Sequence, residues 1–157
     1  MGMNRHPSET EHTTLASRRG FTVLAAVALA ATLTSPHARD VALDAARAVV
    51  NLPVSAAGVL WGRAHGGTCV IHDDLFITCE SMDSGFTDAG TTVGNVWLYG
   101  TLDGPDRYRH ESRHADQWAV VGPSFPVLYG AEFVRTGGRQ QNVFEEWAGL
   151  HDGGYLR

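Results

Sequence analysis

The 157-residue sequence predicts one α+β domain behind an N-terminal targeting segment. Three observations carry that expectation. Residues 41–62 are apolar and helical in composition, the patterning turns strand-like at Thr68, and helix start and stop signals follow from Asp103 onward. With 43% hydrophobic and 18% charged residues, the composition suits a packed body rather than a disordered chain.

The elements follow in order. The stretch VALDAARAVVNLPVSAAGVLWG contains Asp44, Arg47, Asn51 and Pro53, which argue against a membrane span and for core packing, with a membrane-facing role as the alternative. Pro53 cannot donate to a helical ladder, so a helix over 41–50 is expected, then a kink at Asn51-Leu52-Pro53 and a second short helix before Gly66-Gly67. Val70-Ile71 and Leu75 to Thr78 flank the turn-like His72-Asp73-Asp74 and predict a hairpin. Thr91 to Tyr99, with branched and aromatic residues, reads as a third strand of a small antiparallel sheet. Asp103-Gly104-Pro105 opens a helix that runs to Val121 and stops at Gly122-Pro123. A further helix covers 124–135, ending before Gly137-Gly138, and the last covers 142–149.

The first 38 residues form a separate segment and 39–157 the domain. Arg18-Arg19 precede an uncharged run, Phe21 to Leu33, too short to span a bilayer and closer to the apolar part of a signal peptide. Ser17-Arg18-Arg19-Gly20-Phe21 resembles a twin-arginine export signal. Pro36, three residues before a cut after Ala38, disfavours cleavage, so an N-terminal membrane anchor competes with a removed peptide. Both place the domain outside the cytoplasm. All twelve basic residues are arginines, and beyond residue 38 nine of them face fifteen carboxylates, so nothing supports a nucleic-acid partner. Cys69 and Cys79 either close a short loop in an oxidising compartment or stand as buried thiols.

The segment that carries chemistry is His110-Glu111-Ser112-Arg113-His114. Positions four apart on a helix lie one above the other, so both imidazoles can aim at one cation. Glu111, about 100° round the helix from His110, stands beside that point, where a carboxylate can take a proton from water. The competing reading is a solvated face paired with Arg109 and Arg113. Catalytic zinc usually takes a third protein ligand, and Glu132, Glu145, Glu146, His151 and Asp152 are the downstream candidates. With Val143, Trp147 and Leu150 as the buried stripe of the last helix, periodicity does not choose between Glu145 and Glu146. Gln117 and Trp118 continue the histidine face as packing or supporting groups. Tyr129, His151 and Tyr155 are weaker candidates for polarising a carbonyl.

The run His110-Glu111-x-x-His114-x-x-Gln117, then Phe125-Pro126-x-x-Tyr129, then Asn142-x-Phe144-Glu145-x-x-Ala148 and Gly153-Gly154-Tyr155 resembles small bacterial gluzincin-type metallopeptidase domains over residues 90–155. That resemblance implies a zincin-like fold, zinc held by His110, His114 and Glu145, Glu111 as general base, and a peptide or protein substrate aligned along the strand at 91–99. The sequence departs from large gluzincins at Gly149, where those carry an aspartate. Three readings follow as expectations: a zinc-dependent peptide hydrolase, a zinc-stabilised extracytoplasmic binding or assembly module without turnover, or a metal-free cell-envelope protein in which the motif is fortuitous.

Overall fold

The computed structural model describes residues 35–86, 90–101, 105–138 and 140–155, the side chains of Pro105 and Asp106 excepted. The twin-arginine and apolar segments, and the Asp103-Gly104 helix opening, lie outside the described residues. The chain divides into a unit up to Ala42 and a body from Leu43 to Arg157. Of the first, Ser35–Ala42 are described, as the start of a helix.

That helix, α1 (Pro36–Ala64), runs through Pro53 without ending, against the expected pair of helices. The lost ladder bond is offset by side chains on either side of the proline. Asn51 donates Nδ2–H to the Ala115 carbonyl at 2.9 Å, and Ser55 donates to the Asn51 carbonyl at 2.8 Å while accepting from the Asn95 N–H. The inward face of α1 is Arg47, Asn51, Ser55, Gly58 and Gly62, and most of its large apolar residues point outward, Val59 excepted, which reverses the expected core role.

The sheet has four strands, β1 (Thr68–Ile71), β2 (Ile77–Glu80), β3 (Thr91–Val93) and β4 (Val96–Leu98), in the order β1-β2-β4-β3. It is mixed rather than antiparallel, because β2 and β4 run parallel. The single strand expected over 91–99 is a hairpin. Gly94, at φ +63°, turns the chain, and a Cβ there would meet Ser55 Oγ at 2.8 Å, so only glycine fits the turn and its seat on α1. The outcome places β3 at the sheet edge. Cys69 and Cys79 sit opposite each other on β1 and β2 and are disulfide-bonded.

Alternation along β4 builds two small cores. Val96 and Leu98 join Cys79 and Met82 on the α1 side, where Gly58 and Gly62 allow the helix backbone to approach. Trp97 faces the other way, with Phe76 and Ala115 of α2 (Pro105–Val121). A 3₁₀ turn (Gly122–Ser124) leads into α3 (Phe125–Thr136), which stops at Gly137 in the left-handed conformation. The six-residue α4 (Val143–Ala148) closes the fold.

Candidate metal centre

Helix α2 packs on β3 and β4, which buries the face carrying His110, Glu111 and His114 at 2%, 7% and 7% exposure. The third group comes from α4, and its local sequence explains why. Asn142 is the helix cap: its Oδ1 accepts from the Phe144 N–H at 3.0 Å, and its Nδ2 donates to the Tyr129 carbonyl. That cap orients a helix of less than two turns so that Glu145 and Ala148 face inward. Glu146 is exposed, and so is Trp147 at 69%, so the stripe expected from Val143, Trp147 and Leu150 is not the buried one.

Three ligand-type atoms converge. His110 Nε2 lies 3.1 Å from His114 Nε2 and 3.0 Å from Glu145 Oε2, and the remaining edge, His114 Nε2 to Glu145 Oε2, is 3.6 Å. Tetrahedral coordination with bonds of about 2.0–2.1 Å requires edges of about 3.3 Å between ligand atoms, so the triangle has the size that a small divalent cation needs. Among the described residues, these three are the group able to hold a metal ion.

The outer hydrogen bonds give each imidazole its tautomer. His110 Nδ1 lies 3.0 Å from the Gly149 carbonyl, which can only accept. His114 Nδ1 lies 2.8 Å from Gln117 Oε1, and the Gln117 amide is oriented by donating Nε2–H to the Phe144 carbonyl at 2.8 Å. Both rings therefore carry N–H at Nδ1, assigned from the network, and turn Nε2 lone pairs toward each other. Two facing lone pairs at 3.1 Å repel unless a cation or an added proton lies between them. Glu145 Oε2 is likewise buried without a well-aligned donor, although both Nε2 atoms are close. Its Oε1 accepts from the Tyr129 hydroxyl.

Titration follows from these contacts. Burial pushes the Glu145 carboxyl up, but the adjacent His110 and His114 imidazoles and the Tyr129 hydroxyl outweigh it and hold the group well below the usual carboxylate range. Burial pushes His114 down, and the adjacent Glu145 carboxylate with the charge of Glu111 more than reverses that.

Glu111 is not a member of the triangle. The Thr92 hydroxyl on β3 donates to its Oε2 at 2.7 Å, fixing the carboxylate against the sheet edge. It opens on a cavity of about 350 Å³ shared with His110, His114 and Glu145 and walled by Thr92, Trp118, Phe125, Tyr129 and Tyr155 among others. Thr92 escaped sequence reasoning; its inward alternation in the predicted strand was the available signal.

The other candidates stand outside the triangle. Glu132 pairs with Arg135 at 2.6 Å on α3. Arg113 donates to Asp152 at 3.0 Å and to the Ala148 carbonyl at 2.8 Å, which ties down the C-terminal end of α4. His151 is exposed. Tyr129 donates its hydroxyl to Glu145 and lines the cavity, as does Tyr155, whose ring lies 5.9 Å from His110. Gly153 packs on His110, where a Cβ would come within 2.8 Å of the ring. Trp118 donates its indole N–H to the Thr92 carbonyl at 2.9 Å. Compared with known protein families, curated proteins and solved structures, the chain matches none.

Proposed function

We propose that the chain is an extracytoplasmic zinc-dependent peptide hydrolase, with His110, His114 and Glu145 as zinc ligands and Glu111 as general base. The observation that carries the reading is the convergence of two tautomer-fixed imidazoles and a buried carboxylate at tetrahedral edge lengths, with Glu111 in the same cavity. Zinc held there would supply Lewis acidity at neutral pH. Glu111, braced through one oxygen by Thr92, accepts a proton from the attacking water and returns it to the departing amine, so that water and one peptide bond become a carboxylic acid and an amine. Edge strand β3 lines the cavity through Thr91, Thr92 and Val93, where an extended peptide would lie. The Cys69–Cys79 disulfide supports an oxidising compartment.

One observation favours the module without turnover. The Trp118 indole occupies the Thr92 carbonyl, an acceptor that an aligned peptide would use. Glu111→Gln separates the two readings. The hydrolase predicts a loss of about 10²–10⁴-fold in cleavage of an unfolded polypeptide with zinc content unchanged. Absence of cleavage by the zinc-loaded wild type across a peptide library would overturn it in favour of the module.

A further inference from the structure

Helix α1 is inside out. Between Leu43 and Gly62 the buried positions are Arg47, Asn51, Ser55, Gly58 and Gly62, and every exposed position is apolar. Leu43 is 68% exposed, Val49 72%, Val50 57%, Leu52 63%, Leu60 70% and Trp61 46%. At about 100° per residue the exposed set covers an arc of roughly 180°. A soluble helix shows the opposite arrangement, with its apolar stripe toward the core. Leaving so broad a continuous apolar face in water is unfavourable, and large exposed patches of this kind mark contact surfaces.

The width of the arc bears on what covers it. A two-helix seam between copies of the chain uses a narrow stripe at two positions per heptad, and half a helix circumference exceeds that. Lipid acyl chains have no such limit. The helix is long and apolar enough to cross a bilayer, but its inner face is tied to the folded body from Arg47 to Gly62. Arg47 pairs with Asp116 at 3.2 Å, Asn51 bonds Ala115, Ser55 bonds Asn95, and Gly62 abuts Cys79. A helix so fastened cannot cross with the domain attached; it can lie in the membrane plane. The sequence ahead of it, Arg18-Arg19 and then uncharged Phe21 to Leu33, is of the type that brings a chain to a membrane. The body's excess of carboxylates over arginines points to zwitterionic rather than anionic lipid.

We propose that the outward face of α1, from Leu43 to Trp61, lies in the interface of a lipid bilayer and holds the domain flat on the membrane. Trp61 sits at one end of this face, as interfacial aromatics do, and contacts Phe86 of the cavity wall at 6.1 Å between ring centroids.

The test uses the full chain with the disulfide oxidised, carrying an environment-sensitive fluorophore through Val50→Cys or, separately, Leu60→Cys, and through Asp73→Cys as the control, mixed with phosphatidylcholine vesicles. The proposal predicts a blue shift and a loss of roughly half or more of the emission at 50 and 60 when nitroxide lipids are included, with none at 73, and the same effect at high salt. Vesicle flotation without quenching at either position would overturn it and assign attachment to the N-terminal segment alone. A blue shift that depends on protein concentration and not on lipid would overturn it in favour of a second copy of the chain.

Discussion

Replacing Gln117 by leucine separates the metal centre from a fortuitous pair of histidines. Gln117 makes two bonds of 2.8 Å in a buried setting, accepting from His114 Nδ1 and donating to the Phe144 carbonyl. Without the acceptor nothing selects the His114 tautomer that directs Nε2 inward. The loss of such an outer partner weakens metal binding about 10–100-fold, or about 1.4–2.7 kcal/mol. The stranded Phe144 carbonyl and His114 Nδ1–H should also lower the stability of the metal-free protein by about 1–3 kcal/mol. Zinc affinity is measured by competition with a chromophoric chelator, and stability by urea titration with excess chelator. Gln117→Glu, which keeps the acceptor, should restore affinity. Unchanged affinity in the leucine variant, with the stability loss present, would refute the claim that Gln117 orients a ligand.

Acid and base behaviour of the chelated protein follows from His114 and Glu145. The His114 value is raised above its ordinary 6.5, so its contribution to stability is complete below 6.5 and is lost as pH rises through the raised value. The Glu145 value lies below its ordinary 4.5, so its contribution is present above 4.5 and fades as pH falls through the lowered value. Thermal melts of the chelated protein should therefore peak between 4.5 and 6.5, and the stabilisation by added zinc should grow as pH rises toward the raised His114 value, where the imidazole gives up its proton; a zinc effect that grows toward acid pH would contradict both assignments. For the disulfide, which closes a separation of ten residues, reduction or Cys69→Ser/Cys79→Ser should cost about 3 kcal/mol on the chain-entropy scale, read as a lower urea midpoint.

Much of the site was legible because helical periodicity needs no tertiary information. His110 and His114, four apart between clear helix signals, had to share a face, and that face is buried. Glu145 was not separable from Glu146 by the same means. Helix α4 is six residues long, and its inward side is set by the Asn142 cap and by the histidines it meets, leaving the large Trp147 exposed. The Asn142-x-x-Glu145 spacing would normally signal a capping carboxylate at the third helical position; here that carboxylate faces His110 and His114. In the fold, Gly94-Asn95 inside the apparent long strand was a hairpin signal outweighed by the apolar residues around it. The parallel pairing of β2 with β4 has no local signature, since it sets Ile77 opposite Val96, with β3 between them in sequence. Helix α1 misled in the opposite sense. Its apolar residues suggested a core helix, and only the tertiary partners of Arg47, Asn51 and Ser55 show that its polar side is the one buried.

Elemental analysis of the purified protein tests the centre most directly, with wild type, Glu145→Gln and Glu146→Gln loaded with zinc and dialysed side by side. One zinc per chain should remain in wild type and in Glu146→Gln, and Glu145→Gln should lose most of it. No retained metal in wild type, or equal loss in the two glutamate variants, would contradict the assignment of His110, His114 and Glu145 as a metal centre.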